Sequence, residues 1–94
     1  MYGLILKPAY AEKIAQGKKR EEYRNYSTGK VNEKIAIISG DRIYAYAKIT
    51  KVKELSCKEE YRYAWALDVI VRFPRQESRP RCKRKMGQQI WAKL

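Results

Sequence analysis

The residues best equipped to do chemistry in this chain are crowded into one stretch, Lys18-Lys19-Arg20-Glu21-Glu22-Tyr23-Arg24, which follows Gly17 directly. A lysine acts as a nucleophile or base only when neutral, a form that burial and neighbouring cations favour. Lys7, Lys18, Arg20 and Arg24 would supply such neighbours to Lys19. The competing reading of Lys19 is a charged side chain paired with a carboxylate. Glu22 and Arg24 stand at i and i+2, so on a strand they share a face. There they would form an ion pair bracing a cleft, or act on a ligand. In the second role Glu22 accepts from an exocyclic amine of a base, while Arg24 meets a phosphate or stacks on a ring. A carboxylate set among cations suits an acceptor or general base better than a general acid.

What is missing narrows the chemistry further. The chain has no histidine, which excludes Ser-His and Cys-His catalysis and removes the commonest zinc ligand. Its two cysteines, Cys57 and Cys82, are far apart and lack CxxC spacing, so they read as reduced thiols. No metal and no cofactor is expected, and an enzyme built on these residues would be a metal-independent hydrolase. The net charge of +12 over 94 residues costs stability through self-repulsion unless a polyanion relieves it. No apolar run is long enough to span a bilayer, and Met1–Leu6 lacks the basic start and cleavage site of a signal peptide. No membrane association and a cytoplasmic setting are expected.

The elements that must position these residues follow from pattern. Tyr2–Leu6 reads as a buried first strand. A helix is expected from about Pro8 to Gln16, with Pro8 at its first position and Gly17 just past its end. Tyr10, Ala11, Ile14 and Ala15 form its apolar face. Lys18–Tyr23 runs into a second strand, and Glu33–Ser39 holds an apolar third. Gly40-Asp41 then turns the chain into a long alternating strand. In that strand Ile43, Ala45, Ala47 and Ile49 face inward, and Tyr44, Tyr46 and Lys48 face outward as a potential base-stacking platform. Ser56-Cys57-Lys58-Glu59 fits a capping box and predicts a second helix through about Tyr63. Trp65–Phe73 is strand-like, with Leu67, Val69 and Val71 on one side, and Gly87–Trp91 forms a last short strand. Tyr2, Tyr10, Trp65 and Trp91 are assigned to the core. One domain spanning residues 1–94 is expected. Periodicity alone leaves an OB fold, an SH3-like barrel and a PUA-like barrel open.

Charge is uneven. From Lys48 onward 13 Lys or Arg face 5 Asp or Glu, against 9 and 5 before it. Seven cations and one acid lie between Arg72 and Lys85. Arg79, Arg81, Lys83, Arg84 and Lys85 are therefore candidate phosphate contacts, with a merely solubilising face as the plain alternative. The stretch lacks the amphipathic pattern of a membrane-surface segment.

Gly17, Lys19, Glu22 and Arg24 fit the pattern G-x-K-x-x-E-x-R, and in this the chain resembles the ASCH domain family, a branch of the PUA-like superfamily. The resemblance extends to Leu6-Lys7-Pro8-Ala9-Tyr10-Ala11-Glu12-Lys13-Ile14, Ile37-Ile38-Ser39, the strand with Trp65, Phe73-Pro74 and Gly87-Gln88-Gln89-Ile90-Trp91. It implies an α+β fold, a small PUA-like β-barrel of five or six strands with two short helices and a cleft beside the first. It also implies binding of RNA or a modified nucleoside, with Lys7, Lys19, Glu22 and Arg24 at the functional positions. Some members of the family are nucleases, and one subgroup hydrolyses the amide of N4-acetylcytidine. That subgroup keeps the lysine but has threonine where this chain has Glu22, and it uses a further glutamate in the region of Glu59 and Glu60. Together the residues and the resemblance point to an RNA- or nucleic-acid-binding domain with a basic cleft and a basic C-terminal segment. The alternatives are a small hydrolase with Lys19 and Glu22 as catalytic residues, and an adaptor for an acidic protein. The sequence sets no oligomeric state.

Overall fold

The computed structural model describes residues 1–56, 58–73, 75–83 and 90–94. Its described strands form a single sheet. The elements in chain order are β1 (Tyr2–Ile5), α1 (Pro8–Ala15), β2 (Glu21–Arg24), β3 (Lys34–Ser39), β4 (Arg42–Glu54), β5 (Tyr63–Arg72), a 3-10 turn (Gln76–Ser78) and β6 (Trp91–Lys93). The strand order is β2-β5-β4-β3-β1-β6. β1 runs parallel to β3, with the crossover that a parallel pair requires supplied by α1 and β2, and every other strand pair is antiparallel.

The sheet is curled. β5 and β6 are four strand steps apart, about 19 Å if the sheet were flat at ~4.8 Å per step. Yet Trp65 of β5 and Trp91 of β6 stack with ring centroids 5.9 Å apart. Bulges at Ile37/Ile38, Tyr46/Ala47 and Ile49/Lys51 add the local twist that such curvature needs. Lys30, in the β2–β3 connection, lies over both Tyr2 (4.2 Å) and Trp91 (5.1 Å) where the half-barrel's edges approach. The result is a small α+β half-barrel.

α1 seals the concave side. Ala11, Ile14 and Ala15 pack into a core with Leu4, Ile35, Ile37, Ile49 and Trp65. Pro8 opens the helix, and Gly17 ends it at φ 75 in a Schellman motif: Lys18 N donates to Lys13 O and Gly17 N to Ile14 O. Gly40, at φ 62, takes the first central position of the β3–β4 turn, which suits a II′ hairpin. A second, smaller cluster (Ala36, Ile38, Ile43, Ala92) lies on the other face of the sheet. Gly3 leaves room there for Ile38: a Cβ at this position would overlap Ile38 Cδ1, so that buried side chain would have to shift. Gly3→Ala is expected to cost about 1–3 kcal/mol, the range for overpacking a tight core, read as a lowered urea midpoint at constant m.

Three expectations are corrected. Among the described residues no helix follows Ser56. Ser56 Oγ accepts from Lys58 N, and the bond from Leu55 N to Arg62 O closes the β4–β5 hairpin. With Glu54 already paired to Tyr63, too few residues remain to repay a helix nucleus. Second, β4 does not alternate without interruption. Ile37 pairs with Ala45 and Ile38 with Ile43, so Tyr44 is the extra residue of a bulge. Tyr44 therefore points into the main core and Ile43 into the smaller one, and a Tyr44–Tyr46 stacking platform does not form. Third, Tyr10 is exposed rather than core, because the helix turns only Ala11, Ile14 and Ala15 onto the sheet.

Candidate nucleic-acid interface

β2 is four residues long, and its alternation decides which side chains enter the protein. Glu22 is 5% exposed, whereas Glu21 and Tyr23 are exposed. A buried carboxylate needs compensation. Glu22 has it from both sides: Lys19 Nζ lies 3.4 Å from Oε1, and Arg24 Nη2 donates to Oε2 at 2.9 Å. The three polar motif residues thus form one bridged cluster. Lys19 reaches it because the Schellman turn folds the chain back on α1, with Lys19 N donating to Lys13 O. Lys19 Nζ also sits 5.3 Å from the centre of the Tyr10 ring and 5.2 Å from that of Tyr23, a position favoured by cation–π attraction. Arg24 Nη1 donates to the Tyr26 hydroxyl at 3.3 Å, while Arg24 Nε is buried with no hydrogen-bond partner among the described residues.

This cluster forms one wall of an open cleft of about 640 Å³. Lys7, at the N-cap of α1, and Ile5 and Leu6 also line it. Tyr10, Tyr23, Tyr26 and Tyr61 rim the opening. Tyr23 and Tyr61 stack with centroids 6.2 Å apart at 26°, and Tyr26 and Trp65 meet edge to face with centroids 5.9 Å apart. The Tyr23 hydroxyl donates to Glu21 Oε1 at 3.3 Å. The negative charge of Glu21, then desolvation, that hydrogen bond and the charge of Glu59 hold the Tyr23 phenol above its ordinary pKa, so this ring stays neutral at physiological pH. A cleft of this size, aromatic at the rim and charged at one wall, accommodates a nucleoside-sized ligand.

The structure brings Lys7, Lys19, Glu22 and Arg24 together around that cleft. It also adds four tyrosines that were not read as lining it. Tyr26 carried a usable signal, since it continues the even-numbered face of Glu22 and Arg24. Tyr61 carried none, because it comes from the β4–β5 hairpin. Glu59 and Glu60 are exposed and do not line the cleft.

The C-terminal cations divide. Arg79 is 5% exposed, so its guanidinium is not presented at the surface as Arg81 and Lys83 are. Its guanidinium lies 3.8 Å from the centre of the Tyr44 ring, pairs with Glu12 of α1, and donates to Gln76 Oε1 and Phe73 O. Residue 79 therefore staples the segment after β5 to the helix. Arg81 and Lys83 are exposed, with Arg81 Nε 3.8 Å from Asp41 Oδ2. Arg84 and Lys85 lie outside the described residues. Among the described residues no cluster of His, Cys, Asp or Glu could hold a metal ion, and no helix is long and apolar enough to cross a membrane.

Comparison with known proteins adds one finding: the model of the ASCH domain matches residues 4–86. No curated protein matches the chain. The matched span runs from β1 through α1, the Lys19–Glu22–Arg24 cluster and the hairpins of the half-barrel. The chain therefore belongs to the ASCH domain family, a family generally linked to RNA binding.

Proposed function

We propose that the protein binds single-stranded or structured RNA, receiving a base in the cleft between α1 and β2. The observation that carries this reading is the buried Glu22 carboxylate, bridged at 3.4 Å by Lys19 and at 2.9 Å by Arg24 under a rim of tyrosines. Each carboxylate oxygen has two acceptor positions, so Glu22 retains capacity for an exocyclic amine after both cations are bound. Tyr rings provide stacking surface, worth about 1–3 kcal/mol per base. Arg81 and Lys83, continuing toward Arg84 and Lys85 in the sequence, add phosphate attraction without sequence information. The reading treats residues 1–94 as one cytoplasmic domain.

Binding should weaken steeply with salt. Each phosphate neutralised on a single strand contributes about −0.7 to the slope of log K against log salt. Fluorescence anisotropy with a labelled mixed-sequence RNA is expected to give a slope of about −2 or steeper. A flat response, or no binding at low salt, sinks the reading.

The Lys19–Glu22 pair supports one other reading, a metal-independent hydrolase acting on a modified cytidine amide or a phosphodiester. It is less favoured, because the cleft lining among the described residues has no serine, threonine or cysteine to serve as a hydroxyl or thiol nucleophile. Incubation with total RNA followed by gel and nucleoside analysis separates the two. A binder leaves lengths and nucleosides unchanged; shortened RNA or lost acyl groups would establish the hydrolase.

A further inference from the structure

Next to the cleft, a second groove of about 390 Å³ shares Tyr10, Lys19 and Tyr23 with it. The rest of its lining is Lys13, Lys18, Arg20 and Glu21, which makes it the more cationic of the two. We infer that this groove is a phosphate subsite, so that the ligand is a phosphodiester-linked strand crossing Lys19 rather than a free nucleoside. The inference rests on the RNA-binding reading above and deepens it by naming the ligand class.

The pairing of charges is the first reason. Lys19 and Arg24 are paired with Glu22, Arg79 with Glu12, and Arg42 and Arg81 with Asp41. Lys13, Lys18 and Arg20 make no ion pair among the described residues, although they stand together in a concave site. Glu21 is the one carboxylate in the lining, and it already accepts from the Tyr23 hydroxyl. A concave cluster of unpaired cations concentrates anions more strongly than the same charges on a convex surface.

The second reason is that the backbone holds the cluster in place. Gly17 takes φ 75, and the amides of both Lys18 and Lys19 donate to Lys13 O, at 2.9 and 3.1 Å. Arg20 O then accepts from Leu67 N at 2.8 Å, fixing the chain to β5 before β2 begins. The stems of Lys13, Lys18 and Arg20 thus start from a defined scaffold, and little backbone ordering remains for a ligand to impose. The third reason is continuity. Lys19 belongs to both cavities, so a strand with a base against Tyr23 and Glu22 would carry its adjoining phosphate toward Lys18 and Arg20.

The test is calorimetry on the wild type, on Lys18→Gln/Arg20→Gln, and on a charge-matched control, Lys34→Gln/Lys48→Gln, taken from exposed positions on β3 and β4. The probes are the four ribonucleosides and a six-nucleotide mixed-sequence RNA, each at two salt concentrations. Thermal melts check that all variants are folded. The double variant in the groove is expected to lose about tenfold or more in RNA affinity and to lower the steepness of the salt slope by about 1.4, two phosphates at ~0.7 each. Its nucleoside binding should match the wild type, and the control should keep the wild-type slope. An unchanged RNA affinity, an equal loss in the control, or an equal loss for nucleosides overturns the subsite while leaving RNA binding intact. A wild type that binds neither probe overturns the binding reading and this inference with it.

Discussion

Glu22→Gln is expected to change the protein's relative affinity among nucleotides by roughly ten- to hundredfold, while the salt slope stays nearly constant. Glu22 is an acceptor at every lone pair. Glutamine keeps one acceptor and introduces two donors, so a base that offered its amine to the carboxylate now meets an N–H. One such mispairing in a desolvated site is worth about 1–3 kcal/mol of discrimination. The slope should stay nearly constant, because Glu22 does not contact phosphate in this reading and the substitution adds no cation to the phosphate-contacting set. The substitution also weakens the bridge between those two cations, and hydrogen bonds to charged groups are worth about 1.5–3 kcal/mol. Affinities should therefore be compared well below the melting temperature. Competition among four short homopolymeric RNAs reads the effect. If all four shift by the same factor, Glu22 is only a brace for Lys19 and Arg24, and the motif serves to hold β2 in place.

The largest stability effect is expected away from the cleft, at Glu12. Arg79 is buried against Tyr44, and Glu12 is the carboxylate that compensates its charge. Removing one partner of a buried pair typically costs about 3–5 kcal/mol, because the other is left charged and dry. Glu12 is itself about one-third exposed (31%), which lets water partly replace it, so Glu12→Ala is placed at the lower end, about 3 kcal/mol. For a domain of this size that corresponds to a fall in Tm of more than about 10 °C. Adding Arg79→Met to Glu12→Ala should recover part of the loss, since an apolar side chain of similar length can lie on the Tyr44 ring without a counter-charge. Arg79→Met alone, measured below its melting temperature, should leave RNA affinity unchanged. A Glu12→Ala cost under about 1 kcal/mol would mean that Gln76, Phe73 O and the Tyr44 ring compensate Arg79 without help. A uniform loss of RNA affinity in Arg79→Met would mean that the guanidinium is drawn out to phosphate on binding.

Local features of the chain were legible where one short-range rule decides the outcome. Pro8 and Gly17 bound α1 because a missing N–H suits the first turn and a left-handed φ suits the residue after the last. Glu22 and Arg24 share a face because strand side chains alternate, and Gly40 turns β3 into β4 because it tolerates positive φ. The motif, read with its helix, was enough to indicate the family and a small α+β barrel, which the structure shows as a curled half-barrel of six strands with one α-helix and a 3-10 turn among the described residues. Tertiary structure decided the rest, through contacts between residues far apart in sequence. The bulge that sends Tyr44 inward arises from the register between β3 and β4. The capping-box pattern at Ser56 gave way because Glu54 and Tyr63 were already paired. Tyr61 joins the cleft through a hairpin that packs against Tyr23. Arg79 looked like one more cation in a basic tail, yet it is buried because its carboxylate partner, Glu12, lies 67 positions earlier on α1. Charge counting along a chain registers how many cations there are; which of them keep their charge free for a ligand depends on which carboxylates the fold brings beside them.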